Sequence, residues 1–368
     1  MKNLIVSKRI IIAGGGTGGH IFPALAIANA LKVRDPSIEL LFVGANGKME
    51  MQKIPEAGYQ IRGIDIAGFN RSSLIKNIGL PFKLVKSFFQ VRAIYKSFQP
   101  DAVIGVGGYS SFPVLRYAQA AGVPNFIHES NSFAGKSNKL LGKKATKIFV
   151  AADGMEKFFP AKKIQVTGNP VRKNIVLAST DREQAIRFFG LDPMMQTVLI
   201  VGGSLGARTI NEAVDAGIGA FKKNNLQLIW QTGKHYAARA AELAVEDKRI
   251  WAKEFINQMD KAFAAADIVV SRAGAMTIAE LCVVGKPVIF VPYPFAAEDH
   301  QTVNAQNLVN KQAGLLVRDQ DAKEKLISAL IDLAKDPGHQ QSLKVNIKKL
   351  AVTNADEQVA EAVLKAIP

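Results

Sequence analysis

Residues 9–31, RIIIAGGGTGGHIFPALAIANAL, decide how the chain folds. The β-branched run Ile10 to Ile12 breaks into Gly14, Gly15, Gly16, Thr17, Gly18 and Gly19, and from Ile21 an apolar pattern with helical spacing takes over. That order predicts a buried strand feeding a tight loop that opens a helix. Glycines permit positive φ and leave backbone N–H groups bare, so an anion or a sugar oxygen can approach the main chain at the positive end of the helix. Gly14-x-Gly16-x-x-Gly19 also fits the dinucleotide fingerprint, which requires an acidic residue about 20 positions on, at the end of the second strand. The second strand instead ends in Gly44-Ala45-Asn46, with Glu39 at its start, so a nicotinamide reading weakens. His20, the first side chain past the glycines, is either a helix-start histidine bonded to a neighbour or a chemical group; the ligand loop beside it favours the second.

At 368 residues and 48% hydrophobic content the chain exceeds what one core supports, so two domains are expected, and disorder or a small stapled fold is excluded. The single cysteine, Cys282, sits in an apolar helical pattern, which excludes a disulfide framework and fits a reducing compartment. Five scattered histidines (His20, His128, His235, His300, His339) form no Cys/His spacing, so no protein-held metal is expected. The amino terminus is too short in apolar residues for a signal peptide, and no run reaches the ~18 needed to span a bilayer. A soluble or peripheral protein is expected. Its net charge of +16 favours nucleic acid, an anionic membrane face or phosphorylated substrates.

Apolar runs at 40–43, 102–106, 125–128, 147–150 and 164–166 alternate with helical stretches, which implies a parallel sheet with helices on both faces and ligands at the carboxyl ends of the strands. Gly105 to Ser111 and His128-Glu129-Ser130-Asn131 fall at such ends. For Tyr109 and Ser130 ordinary turn chemistry competes with a role at the site; Glu129 and Asn131 lean toward the site. Between Ile66 and Pro100 there is no acidic residue, yet Arg71, Lys76, Lys83, Lys86, Arg92 and Lys96 interleave with Ile75, Ile78, Phe82 and other apolar side chains. Residues 75–82 are broken by glycine and proline and are not readily the buried face of a helix. Exposed apolar groups ringed by lysines fit a surface resting on anionic lipid, each basic residue contributing about 1 kcal/mol; a core face with solvated lysines is the alternative. Lys136, Lys139, Lys143, Lys144 and Lys147 extend the basic face.

Thr167 to Arg172 reads as a domain junction, after which the pattern restarts. Residues 197–201 are a buried strand, 202–208 (GGSLGAR) a second glycine loop, and Thr209 opens a helix. Two halves that each begin strand, glycine loop, helix suggest paired Rossmann-like domains facing one another across a cleft. Further strands are expected at 226–231, 250–255, 268–270, 288–291 and 315–317. Ser271 to Leu281 is the richest segment: a phosphate can sit on N–H groups around Ala275 to Thr277 while Glu280 accepts from vicinal ribose hydroxyls. The tail from Asp356 to Ile367 reads as an amphipathic helix that crosses back to the first domain.

GGGTGGHIFPALA, GGYSSFP, HESNSFAGKSNKLL, GNPVR, GGSLGAR, SRAGAMTIAE and DHQTVNA, in this order and spacing, closely resemble the MurG family of peptidoglycan N-acetylglucosaminyltransferases over essentially the whole chain. The resemblance implies the α/β GT-B fold, with domains over 1–168 and 169–353 and the helix of about 354–368 returning to the first. It implies inverting transfer of N-acetylglucosamine from UDP-N-acetylglucosamine to the C4 hydroxyl of the muramic acid sugar of lipid I, giving lipid II, at the cytoplasmic face of the inner membrane. On this basis Thr17, Gly18, Gly19 and Asn131 meet the transferred sugar or shape the acceptor pocket, and Arg172 and Ser204 contact the diphosphate. Ile256 meets uracil through its backbone. Ala275, Met276, Thr277, Ile278, Ala279 and Glu280 hold phosphates and ribose, and Gln301 and Asn304 the sugar hydroxyls. The family commonly shows Glu-Gln-Asn where this chain has Glu129-Ser130-Asn131, so no role transfers to Ser130.

Inverting transfer needs one base and a stabilised leaving diphosphate. His20 is the expected base, with Glu129 as the alternative, since imidazole titrates nearer neutrality; if His20 is the base, Glu129 orients it or binds acceptor. Without a metal-binding acidic cluster, a helix N-terminus and Arg172 serve the leaving group, and no cofactor is expected. Tyr109, Ile75, Phe82, Lys83 and Lys86 are assigned to the acceptor side and an anionic membrane patch. Two other readings remain: a non-hydrolysing UDP-N-acetylglucosamine epimerase of the same architecture, and a nucleic-acid-binding protein, for which charge speaks but no recognition motif does.

Overall fold

The computed structural model describes residues 7–68, 79–177, 180–203, 206–296 and 299–367. They form two compact units, one of Met1–Val171 with Asn354–Pro368 and one of Arg172–Thr353.

The first unit is built on a parallel sheet of β1 (Arg9–Ala13), β2 (Glu39–Ala45), β3 (Gln60–Ile64), β4 (Ala102–Gly105), β5 (Asn125–Glu129), β6 (Lys147–Val150) and β7 (Ile164–Val166), in the order β3-β2-β1-β4-β5-β6-β7. Central strands covered on both faces must be apolar throughout, which is why Ile10, Ile11 and Ile12 are all fully buried. The order reverses between β1 and β4, and the carboxyl ends of those two strands are where such sheets open to a ligand.

On one face the helix Gly18–Arg34 buries Ile21, Ile27 and Leu31 together with Val359, Ala360 and Val363 of the terminal helix Ala355–Lys365. Each such large side chain contributes about 1.5–3 kcal/mol by leaving water. The tail is thereby fastened to the first unit. Val91, Tyr95, Val114, Leu115 and Leu141 cover the other face. The junction expected at residue 168 lies inside this unit's contacts: Thr167 and Gly168 donate N–H to Val150, and Asn169 Nδ2 donates to the Ser130 carbonyl. Strand β3, at the sheet edge, has no counterpart among the sequence-expected strands, because an edge strand alternates exposure and QIRGI holds no continuous apolar run.

The helix Leu80–Phe98 begins inside the segment that the sequence treats as broken. Pro81 stands in its first turn, where a missing N–H costs nothing. Ser87, Val91 and Tyr95 face the core, with Tyr95 OH donating to the Val114 carbonyl.

The second unit repeats the plan with β8 (Gln196–Val201), β9 (Leu226–Gln231), β10 (Ile250–Lys253), β11 (Ile268–Ser271), β12 (Val288–Phe290) and β13 (Leu315–Leu316), ordered β10-β9-β8-β11-β12-β13 and all parallel. Its reversal lies between β8 and β11. Strand β10 stops at Lys253, two residues short of the expected end, and Glu254 leaves the sheet to accept from Gly233 N–H. No helix among the described residues is long and apolar enough to cross a membrane.

Candidate active site

In the first unit the glycine loop joins β1 to the helix Gly18–Arg34 and is pinned from both sides. Gly14 N–H donates to Val43 of β2, and Gly15 N–H to Gly107 after β4. Ser111 Oγ lies within hydrogen-bond distance of the Ala13 and Gly107 carbonyls, at 2.9 and 2.8 Å. Thr17 caps the helix without a side-chain hydrogen bond and is exposed, followed by half-buried Gly18 and Gly19.

His20 is half-buried, and its Nδ1 stands 3.0 Å from the Gly15 carbonyl. A carbonyl only accepts, so Nδ1 carries the proton and Nε2 is the basic nitrogen of the neutral ring. The ring lies so close to Gly107 that a Cβ there, at φ +99°, would stand 2.7 Å from Nε2. Tyr109 on the same loop is exposed.

Glu129 ends β5 and is buried. Its Oε1 accepts from the backbone N–H and Nδ2 of Asn131, at 3.1 and 3.3 Å, and its Oε2 from Gly135 N–H and Asn138 Nδ2, at 3.2 and 2.8 Å. Four donors on one carboxylate make it the organiser of the loop that carries Asn131. Next to it, burial holds His128 neutral, its pKa pushed down to about 4, with the charge of nearby His20 acting in the same direction. His128 Nε2 faces the Gly168 carbonyl and Nδ1 the Ser130 hydroxyl, both at 3.4 Å. Ser130 thus supports its neighbour from a buried position.

In the second unit the helix Ala275–Val284 starts after β11 from Gly274, which offers no side-chain cap, and no acidic residue occupies its first turn. Its first N–H groups therefore present a positive end. Glu280, in the second turn, is 7% exposed, and its Oε1 accepts from Arg172 Nε at 2.8 Å. Burial raises its carboxyl above the ordinary range, against the pull of Arg172. Met276 is buried, whereas Thr277, Ile278 and Ala279 are half-buried along the same helix. Asn304, from the helix His300–Val309, is buried and donates from Nδ2 to the Ala273 carbonyl at 3.3 Å; Gln301 Oε1 accepts from Tyr293 N–H at 3.0 Å. Ile256 is 1% exposed, and its N–H donates to Gln231 Oε1 at 3.0 Å. Ser204 and Ile75 lie outside the described residues.

The structure thus gathers Arg172, Ala275 to Glu280 and Asn304 around one helix start, and His20, Glu129 and Asn131 at the ends of β1 and β5. Three groups escaped sequence reasoning. Glu50, 1% exposed, accepts from Gly16 and Ala45 N–H at 2.7 and 2.9 Å. Gln231 ties Gly203 to Ile256. Arg272 donates to the Val291 and Pro292 carbonyls and pairs with Asp319, fixing the turn before the helix Ala275–Val284. Glu50 alone had a legible signal, a carboxylate opening a helix just after the second strand. Among the described residues no three His, Cys, Asp or Glu side chains gather as metal ligands.

Residues 10–150 match the glycosyltransferase family 28 N-terminal domain and residues 197–359 the glycosyltransferase family 28 C-terminal domain. The chain is 53% identical to a protein of Phocaeicola vulgatus over 97% of this chain and 96% of that one, and 48% identical to one of Parabacteroides distasonis over 98% of each. Both are named UDP-N-acetylglucosamine--N-acetylmuramyl-(pentapeptide) pyrophosphoryl-undecaprenol N-acetylglucosamine transferase. The crystal structure of Acinetobacter baumannii MurG superposes with a TM-score of 0.78 at 28% identity, covering 97% of this chain and 99% of that one. A UDP-N-acetylglucosamine 2-epimerase superposes at 0.68 with 15% identity, covering 98% of this chain and 96% of that one, a likeness of fold alone.

Proposed function

The chain belongs to glycosyltransferase family 28, and on that premise we propose how its two units share the reaction for which its relatives are named. The protein is a GT-B enzyme that transfers N-acetylglucosamine from UDP-N-acetylglucosamine to lipid I, forming lipid II. His20 Nε2 takes the proton of the muramic acid C4 hydroxyl as that oxygen bonds to C1 of the donor sugar. The C1–O bond to the diphosphate breaks with inversion, and its electron pair leaves on UDP. The positive end of the helix Ala275–Val284 and Arg172 stabilise that charge. Glu280 receives the ribose hydroxyls on Oε2, which accepts from no described residue. With the Ile256 N–H engaged by Gln231, the carbonyl of Ile256 is the group that meets uracil. In the first unit Thr17, Gly18, Gly19 and Asn131 serve the transferred sugar or the acceptor, with Tyr109 on the acceptor side; in the second, Gln301 and Asn304 serve the sugar hydroxyls.

The observation that carries the role of His20 is the Nδ1 contact to Gly15, which leaves the basic nitrogen on the opposite edge of the ring. Glu129, with four donors on its carboxylate, serves as a positioning residue for the Asn131 loop.

The enzyme works as a peripheral protein on the anionic cytoplasmic leaflet. Phe82, Val85 and Phe89, 77%, 57% and 67% exposed, share one face of the helix Leu80–Phe98, and Lys83 is exposed beside them. Apolar side chains with cationic neighbours suit lipid headgroups. Lys86 contributes less, being paired with Asp65 at 2.8 Å.

The test is incubation of the purified protein with labelled UDP-N-acetylglucosamine and a lipid I analogue. Label appearing in the lipid as a β-linked sugar is expected. Isomerised UDP-sugar without lipid labelling would overturn the assignment in favour of the epimerase.

A further inference from the structure

Gly15 and Gly16 are joined by one peptide, and both ends of that peptide are occupied. Its carbonyl accepts from Nδ1 of His20 at 3.0 Å, and its N–H donates to Oε2 of Glu50 at 2.7 Å. Glu50 stands at the start of the helix Glu50–Glu56 and is 1% exposed, with Oε1 fixed by Ala45 N–H. The space it fills is kept clear by glycine: a Cβ at Gly15 would stand 2.2 Å from Glu50 Cδ, and one at Gly44 2.5 Å from its Cγ. Such a carboxylate is built into the glycine loop.

We propose that Glu50 is a positioning residue for His20, acting through the Gly15–Gly16 peptide as the third member of a carboxylate–peptide–imidazole relay. A carboxylate on the N–H polarises the peptide, makes its carbonyl a stronger acceptor, and so holds Nδ1–H and leaves Nε2 basic. Once Nε2 takes a proton, the same negative charge stabilises the imidazolium. In hydrolases with a serine nucleophile a carboxylate contacts the imidazole directly; here a main-chain amide stands between them. The inference rests on the reading of His20 as base.

Other titratable groups bear on the ring. On β5, His128 is buried and neutral and interacts with His20, while its neighbour Glu129 is committed to Asn131, Gly135 and Asn138. The loop after β4 carries Tyr109, and the first turn of His20's own helix holds no acidic residue.

The test is a 15N and 1H NMR titration of His20 in the full chain and in Glu50→Gln, which keeps size and removes charge, beside steady-state kinetics of both. In the variant the His20 midpoint is expected to fall by at least about 0.5 pH unit, because the charge that favours the imidazolium is gone. The nitrogen shifts move from an Nδ1–H form toward a mixture of tautomers, and kcat falls about tenfold with the donor KM unchanged. A folded variant with unaltered midpoint and tautomer overturns the relay, whatever happens to turnover. Should Glu50→Gln not fold, Glu50→Asp, with the charge drawn back by one methylene, must lower the midpoint by a smaller amount; no change overturns the relay equally. The titration needs no turnover, so a His20→Ala enzyme of normal activity would remove the base assignment while leaving the relay's own readout intact.

Discussion

Arg172 Nε donates to Oε1 of Glu280 at 2.8 Å, so a carboxylate almost wholly removed from water is held by a single guanidinium contact on one oxygen. Desolvation pushes the Glu280 carboxyl up, and Arg172 offsets part of that cost; in the proposed mechanism Oε2 is the oxygen that receives the ribose hydroxyls. The arrangement has consequences for affinity and for pH.

Replacing Glu280 by Gln removes the anionic acceptor from the ribose, a loss of about 1.5–3 kcal/mol, or roughly 10- to 150-fold in donor affinity. Because the folded carboxyl titrates above the ordinary 4.5, the wild type gains a proton there, and loses donor affinity, at a higher pH than an exposed glutamate would. Calorimetry with UDP-N-acetylglucosamine, whose diphosphate diester does not titrate in that range, should show the acid loss in the wild type and its absence in Glu280→Gln.

Glu129→Gln keeps the shape but turns an amide NH2 toward two of the four donors that the carboxylate now satisfies. About 2 kcal/mol of stability should be lost in urea unfolding of the intact chain. Turnover falls as the Asn131 loop loosens, but the acid limb of the pH–rate profile stays in place. A displaced limb would mark Glu129 as the titrating base.

His128 gives a second pH signature. Its pKa falls from 6.5 to about 4 on folding, so between those values the unfolded chain binds more protons than the folded one. Stability is therefore full above about pH 6.5 and declines toward pH 4, by roughly 3 kcal/mol in total. Urea midpoints of wild type and His128→Gln compared at pH 7.5 and 4.5 should differ in their pH dependence, the variant losing less; equal losses would assign acid lability elsewhere.

For the exposed helix face, Phe82→Asp combined with Lys83→Glu should weaken binding to vesicles containing anionic lipid at least about tenfold, through lost apolar burial and reversed charge. Turnover on a water-soluble acceptor analogue should be unchanged. Unaltered vesicle binding would place the membrane contact on another surface.

Most of this architecture can be read from the chain because central parallel strands must be apolar on both faces, so Ile10 to Ile12 and Val198 to Val201 announce themselves. Edge strand β3 does not, since half of it faces water. Glycine loops stand out in sequence as places where a ligand can approach the backbone, with His20 the first side chain past one of them and Glu280 a carboxylate in the second turn of the helix Ala275–Val284. What stays hidden is the partner each carboxylate finds. Glu129 reads in sequence as an alternative base or a partner of His20 or the acceptor, and the structure commits its carboxylate to four donors of its own loop, whereas Glu50, 34 residues from Gly16, reaches the glycine loop only through the pairing of β1 with β2. Lys86 reads as a spare membrane charge until Asp65 is seen against it.

The most direct test of the chemistry is a paired measurement on one preparation of His20→Ala: donor affinity by calorimetry and kcat with a lipid I analogue. Donor affinity near that of the wild type with kcat reduced about 100-fold or more is the expected result. Turnover equal to the wild type's would contradict His20 as the base.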